Sequence, residues 1–239
     1  MYKIEMHLHT KGNSGCSKTS VKRIMYRYAK YGCDGIVCTN HFNKYIFEKY
    51  LQGNTDDEKL DSFFKQFYAL KKLGGHKGID VLFGLEVALG RDSYEHRGEN
   101  KAEILVYGVT PEEIRELGTK ILDFSYEDFY DLSRRYGWLL YQAHPLRRRT
   151  KLLDSKYLDG LEVYNGNPRH NNKNDEVMAL ARERGCLASA GTDYHNYKDP
   201  ITVMELAEKP KDEKHLVELI KVINVDNIKF ERLISKARK

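Results

Sequence analysis

Apolar and polar residues alternate from the first residues of this chain. In Lys3 to His9, KIEMHLH, the residues Ile4, Met6 and Leu8 interleave with Glu5, His7 and His9. On a strand of period two the imidazoles of His7 and His9 leave the same face one pleat apart and can converge on one point. A polar loop, Thr10 to Ser17, follows. From Ser20 to Tyr31 the apolar positions Val21, Ile24, Met25, Tyr28 and Ala29 recur at helical spacing, and Gly32 closes the helix. Gly35 to Thr39 is a short β-rich run that gives out at Asn40 and His41. The order is strand, helix, strand.

The theme repeats. An amphipathic segment from Leu60 to Leu73 ends at Gly74 and Gly75, and Asp80 to Leu89 reads as a buried strand carrying one carboxylate, Glu86. The apolar run that Glu103 begins stops at Thr110 and Pro111, where T-P-E-E predicts a capping box with Glu113. Ser125 and Asp128 mark a helix running to Tyr136, before Gly137. Trp138 to His144, Gly160 to Asn165 and Cys186 to His195 are three further strands, with a helix within Asn174 to Arg184 between the last two. A short apolar run at Ile201 to Leu206 and a helix from Asp212 to Val222 complete the pattern.

Strands alternating with helices at this spacing predict an α/β chain with a mostly parallel sheet, closed or nearly closed into a barrel, in a single domain over residues 1–239. Loops after the strands of such a barrel meet on one face. His7, His9, His41, Glu86, His144, Asp193 and His195 all fall in or at the C-terminal ends of the apolar runs. Five of the nine histidines are in that set; His76, His96, His170 and His215 lie in polar or helical context and are poor ligand candidates. Neutral imidazoles and carboxylates gathered on one rim describe a metal site.

Composition changes the picture little. The 239 residues are 41% hydrophobic, enough for a full core. No apolar run approaches the roughly 18 residues of a membrane span and no signal-peptide start is present, so a cytoplasmic chain is expected. Cys16, Cys33, Cys38 and Cys186 show no C-x-x-C spacing, which predicts reduced thiols rather than disulfides or a zinc ribbon. A formal charge of +5 gives only a slight preference for anionic ligands. There is no G-x-S-x-G elbow and no Walker loop to supply a competing mechanism.

His7-x-His9, Thr39-Asn40-His41, Gly84-Leu85-Glu86, His144-Pro145 and Gly191-Thr192-Asp193-Tyr194-His195 together resemble the ordered motifs of the PHP superfamily, named for polymerase and histidinol phosphatase. The resemblance implies a single distorted (β/α)7 barrel of the PHP type, two or three divalent ions (zinc, manganese or iron) and phosphoester hydrolysis by a water held between metals. It implies that His7, His9, Glu86 and Asp193 bind one metal, that Glu86 bridges to a second held with His144, and that His41 and His195 hold a third. Three positions depart from the family pattern. Asn40 stands where T-D-H is common, although the histidine remains. Glu103 occupies a strand start where many members carry histidine; either it supplies an oxygen ligand, favouring manganese or iron, or it faces solvent. Cys16 lies near the loop position that elsewhere gives a carboxylate or histidine to the third metal, and a thiolate is a good soft ligand.

A cation outside the metals is needed where charge builds on phosphoryl oxygens. Arg147, one short loop from His144, is the candidate, with Asp193 and His195 as its catalytic companions; Arg148 and Arg149 read as solvated. Asn165 and Arg169 either face the site or, for Asn165 to Pro168, form a turn. The substrate expected is a small phosphomonoester such as histidinol phosphate, or a nucleotide. The alternatives are an exonuclease acting on short single-stranded nucleic acid, and a non-catalytic regulatory module stabilised by its metals. No membrane partner is expected.

Overall fold

A computed structural model describes residues 1–13, 15–90 and 101–233; His96 lies outside the described residues. One nine-stranded sheet runs through the molecule: β1 (Tyr2–Leu8), β2 (Gly35–Phe42), β3 (Asp80–Val87), β4 (Ile104–Tyr107), β5 (Leu139–Gln142), β6 (Gly160–Asn165), β7 (Leu187–Gly191), β8 (Ile201–Leu206) and β9 (Phe230–Leu233). The order across the sheet is β7-β6-β5-β4-β3-β2-β1-β8-β9. Strands β1 to β3 are mutually parallel, as are β5 to β7. Between these blocks β4 runs antiparallel to both β3 and β5.

The sheet curls until its ends meet. Just beyond β7, Tyr194 pairs with Leu8 of β1: His9 N–H donates to Tyr194 O and Tyr194 N–H to His7 O, each at 3.1 Å. Lower down, β1 pairs with β8 instead, over Tyr2, Lys3 and Ile4. Seven strands thus form the nearly closed barrel expected, and β8 and β9 extend the sheet past β1 as antiparallel additions.

The helices form where the caps dictate. Helix α1 (Val21–Tyr31) buries Ile24, Met25 and Tyr28 and stops at Gly32 in the left-handed conformation. A short α2 (Lys44–Lys49) starts at Asn43, whose side chain accepts from Ile46 N–H. Reciprocal capping boxes start α3 (Asp56–Gly75), α4 (Pro111–Leu117) and α5 (Tyr126–Tyr136), through Thr55 with Glu58, Thr110 with Glu113 and Ser125 with Asp128. Helices α6 (Asn174–Arg184) and α7 (Glu213–Ile220) complete the set. Ile24, Phe63, Phe67 and Phe83 belong to the core beneath the helices, while Met6, Val37, Leu105 and Tyr141 belong to a separate cluster.

Strand β1 departs from simple alternation. Its pairing with β2 shifts register between Glu5 and Leu8, a β-bulge. Ile4 and Met6 join the cluster of Val37, Leu82 and Leu105, whereas Glu5 turns the other way and accepts from the Tyr28 hydroxyl of α1 at 2.7 Å. The bulge then returns His7 and His9 to the side that carries Glu86. The two histidines do share a face; Glu5 does not share it with them.

Candidate metal centre

Glu86 lies at the centre of the site. Its carboxylate is fully buried, and four imidazoles approach it: His41 Nδ1 at 2.6 Å, His144 Nε2 at 3.1 Å, His7 Nε2 at 3.3 Å and His9 Nε2 at 3.4 Å. The strands explain the convergence. Residue 41 of β2 is the direct register partner of residue 86 of β3, while His9 follows β1 immediately and His144 lies two residues beyond β5. Asp193 and His195 arrive from the segment after β7, with Asp193 Oδ1 3.4 Å from His9 Nε2 and 3.7 Å from His7 Nε2.

Glu103 belongs to the same cluster, with its oxygens 3.6 Å from His41 Nδ1 and 3.7 Å from His144 Nε2. It precedes β4, and because β4 runs antiparallel to its neighbours, the start of this strand sits where the others end. Of the two readings open for Glu103, the geometry favours the one that faces the site over the one that faces solvent: its side chain is only 15% exposed and pairs with Lys101 at 2.7 Å. Cys16 also reaches the site, with its sulfur 3.6 Å from His41 Nε2.

Backbone strain accompanies two of these residues. His144 and Asp193 have φ of 33° and 53°, in the left-handed region that few non-glycine residues adopt. Asp193 is held by Arg147, whose Nη2 donates to Oδ2 at 2.7 Å, and by Asn167 Nδ2 at 3.1 Å. Gly191 permits the close passage of β7 against β1, since a Cβ there would come within 2.6 Å of His7 Cβ.

Three groups of side chains bring their ligating atoms within 4.8 Å of one another: His7, His9 and Glu86; His41, Glu86 and Glu103; and His9, His41 and His195. Ligands about 2.0 to 2.1 Å from a tetrahedral cation stand about 3.4 Å apart, close to the separations of His7, His9, Glu86 and Asp193. The supporting hydrogen bonds have the right sense. His7 Nδ1 lies 2.8 Å from Glu162 Oε1, and His195 Nδ1 lies 2.8 Å from the Asp193 carbonyl, which leaves the Nε2 of each ring for a cation. Glu86 Oε2 and His41 Nδ1, 2.6 Å apart, do not meet in hydrogen-bond geometry, and His9 Nδ1 and His144 Nδ1 are likewise buried without a hydrogen-bond partner among the described residues. A buried carboxylate oxygen in that state fits a donor set built for divalent ions.

Without a cation, the charges settle among themselves. Burial opposes ionisation of Glu86, yet His41 and His7, with a hydrogen bond from His144, hold its carboxyl well below the usual range. Burial opposes the His7 cation too, but Glu162, Glu86 and Asp193 raise its pKa well above normal. His9 goes the other way, lowered by burial and by His41 and His195. Burial would raise the Cys16 thiol; hydrogen bonds to His195 and His41 outweigh it and bring it down to about 5.

A cavity of about 480 Å³ opens onto this cluster, and Lys101, Arg147, Arg148, Arg149 and Arg169 line it. Arg148 and Arg149 are exposed, as read from the sequence, and still border the cavity. Asn165 meets both readings of it: its Oδ1 accepts from Asn167 N–H at 3.0 Å in a turn, and the buried side chain also donates to Glu162 at 2.8 Å and accepts from Arg147 at 3.1 Å. Glu162, Asn167 and Asn172 were not singled out in the sequence. A lone carboxylate within the apolar GLEVYN strand was the signal for Glu162; nothing in the pattern marked the asparagines.

Solved structures share this architecture. A two-domain protein from Bacteroides vulgatus ATCC 8482, described as containing a predicted PHP-like metal-dependent phosphoesterase, aligns over 92% of this chain with a TM-score of 0.61 and 12% identity. The chain has the PHP-type fold. A protein from Bifidobacterium adolescentis ATCC 15703, named as a candidate metal-dependent phosphoesterase, aligns over 90% of the chain and 94% of its own length (TM-score 0.52, 15% identity). The lesion-specific endonuclease EndoQ of Pyrococcus furiosus aligns over 96% of this chain (TM-score 0.55, 15% identity). The chain spans 62% of the Bacteroides protein and 57% of the Pyrococcus enzyme. No family model and no curated protein matches the sequence. Among the described residues, no helix of this PHP-type fold is long and apolar enough to cross a membrane.

Proposed function

We propose that this chain is a PHP-superfamily metal-dependent phosphoesterase acting on a small phosphomonoester or nucleotide. One observation carries the reading: the buried Glu86 carboxylate is ringed by imidazoles, and His41, Glu103, His144, Asp193 and His195 of the same cluster line a cavity that arginines also wall. His7, His9, Glu86 and Asp193 would hold one divalent ion, and Glu86 with His144 and Glu103 a second. Bound there, such ions supply Lewis-acid polarisation of phosphoryl oxygens and activation of water near neutral pH.

The chain's own residues do the rest. Glu162 and the Asp193 carbonyl orient the imidazoles of His7 and His195. Arg147 is aimed by three acceptors: Asn172 at 2.8 Å through Nε, and Asn165 and Asp193 through Nη2. Its remaining donors are placed to bind equatorial phosphoryl oxygens as charge builds on them. A cavity of about 480 Å³ is in the range of small-molecule sites, which favours a compact substrate over a polynucleotide. The likeness to an endonuclease keeps short single-stranded nucleic acid as the second reading.

The test is an assay of metal-stripped protein reloaded with manganese, zinc or iron, against p-nitrophenyl phosphate, histidinol phosphate and labelled oligonucleotides. Turnover of the small esters, lost in Asp193→Ala and His9→Ala, is the expected result. Cleavage of oligonucleotides alone favours the second reading. Absence of turnover with every metal and substrate leaves a regulatory module.

A further inference from the structure

The loop between β1 and α1 is fastened to the site at several points. Lys18 N–H donates to His195 O at 3.0 Å, and the hydroxyls of Ser17 and Thr19 approach the same carbonyl at 3.3 Å. Ser17 also donates to His9 O at 3.2 Å, and Lys11 N–H to Thr19 O at 3.2 Å. These bonds fix the backbone on the C-terminal side of Cys16 and leave its sulfur beside the rings of His41 and His195.

The cysteine joins an imidazole cluster. The His9 ring lies between those of His41 and His195, with centroids 4.3 and 4.4 Å away, and the ligating atoms of the three fall within 4.8 Å. His9 is fully buried, and its Nδ1 has no hydrogen-bond partner among the described residues. A zinc ion about 2.3 Å from sulfur and about 2.0 to 2.1 Å from nitrogen in tetrahedral geometry separates S from N by about 3.5 to 3.6 Å. Cys16 Sγ and His41 Nε2 are 3.6 Å apart. The other ring nitrogens face elsewhere: His41 Nδ1 is turned to Glu86 Oε2, 2.6 Å away, and His195 Nδ1 lies 2.8 Å from a carbonyl oxygen. Both Nε2 atoms are thereby left for the sulfur's side of the site.

We propose that Cys16 is a thiolate ligand which, with His41 and His195, makes one pocket of this centre selective for zinc. The neighbouring pocket of Glu86, Glu103 and His144 is rich in hard oxygen donors and suits manganese or iron. The centre is then chemically divided, one end soft and one end hard. The proposal rests on the reading of the cluster as a metal centre. Binding at the soft end displaces the proton held between the sulfur and the imidazole nitrogens, and that proton passes to solvent.

Cobalt loaded into the metal-stripped full chain tests this. The wild type is expected to show thiolate-to-cobalt charge-transfer absorption in the near ultraviolet. Cys16→Ser should lose that band and bind zinc about tenfold or more weakly. Cys16→Asp should bind cobalt without the band, which separates a lost ligand from a lost fold. In a second measurement, one equivalent of zinc should slow alkylation of Cys16 by iodoacetamide, mapped by mass spectrometry. Bound cobalt without the band in the wild type, or alkylation indifferent to bound zinc, overturns the proposal. Neither readout involves turnover, so an inert protein with the band retains the ligand assignment. An active protein without the band loses that assignment and keeps the phosphoesterase reading.

Discussion

Glu162 Oε1 lies 2.8 Å from Nδ1 of His7, with both side chains fully buried. The second Glu162 oxygen accepts from His144 N–H at 2.9 Å and from Asn165 Nδ2 at 2.8 Å. One carboxylate on β6 thus orients the imidazole of His7, pins the strained backbone of His144 and supports the residue that holds Arg147. It touches no proposed ion itself.

Replacement of this group should therefore weaken metal binding while leaving the ligand set complete. For Glu162→Gln, a loss of about 10- to 100-fold in affinity is expected, as for other carboxylates behind ligating histidines. Competition titration against a chromogenic chelator measures it. An unchanged affinity would mean that the contact with His7 has no bearing on the metal.

Arg147 separates catalysis from metal retention. Its guanidinium reaches Asp193 at 2.7 Å, while Asn165 and Asn172 set its direction. Arg147→Ala should lower kcat/KM by about 100-fold or more through lost stabilisation of phosphoryl charge, with metal content held near that of the wild type. Steady-state kinetics beside elemental analysis checks both halves. Parallel loss of metal would make Arg147 a support for Asp193 instead.

Much of this site was legible because a strand that ends at the rim of the barrel changes from apolar to polar there. His41, Glu86, His144, Asp193 and His195 could each be read from such a boundary. Glu103 could not, because the same rule places a strand start on the far side; only the reversal of β4 brings it round. The parity of Glu5 was hidden by a bulge that leaves the sequence pattern of β1 intact. Asn167 and Asn172 were illegible for another reason: their partners are set by how loops approach one another, and asparagine in a loop reads first as a turn. In the fold, α2 and β9 went unread, being a six-residue helix and a four-residue strand too short to show a period.

Glu5 gives the metal-free protein a signed pH dependence. Burial raises its carboxyl from 4.5 to about 7, against hydrogen bonds from Thr192, His7 and Tyr28 that oppose the shift. A folded-state pKa raised above the unfolded value means that the native chain holds the extra proton between pH 4.5 and 7. The stabilisation is complete below the unfolded value and is lost as pH rises through the folded one. The loss amounts to about 3 kcal/mol by linkage. Urea denaturation between pH 5 and 8 should show stability falling with pH, with a shallower fall in Glu5→Gln. Equal slopes in the two proteins would remove Glu5 as the cause.

The contact between β7 and β1 yields the sharpest steric test. A Cβ on Gly191 would stand 2.6 Å from His7 Cβ and 2.8 Å from His7 N, both on a strand held by its neighbours on either side. Neither atom is the far end of a flexible side chain, so the strands must part. Overpacking of this kind costs about 1 to 3 kcal/mol. The displacement falls on the backbone that carries His7, so Gly191→Ala should also weaken metal binding. Gly185→Ala serves as the control, since Gly185 closes α6 with φ of 61° and no atom within 4 Å of the added Cβ. It should lose stability through strain at that helix end, with metal affinity unchanged. Denaturant midpoints and metal titrations of the two variants, measured side by side, decide the matter. Equal metal affinity in both would show that His7 tolerates the shift and that the close approach is needed for packing alone.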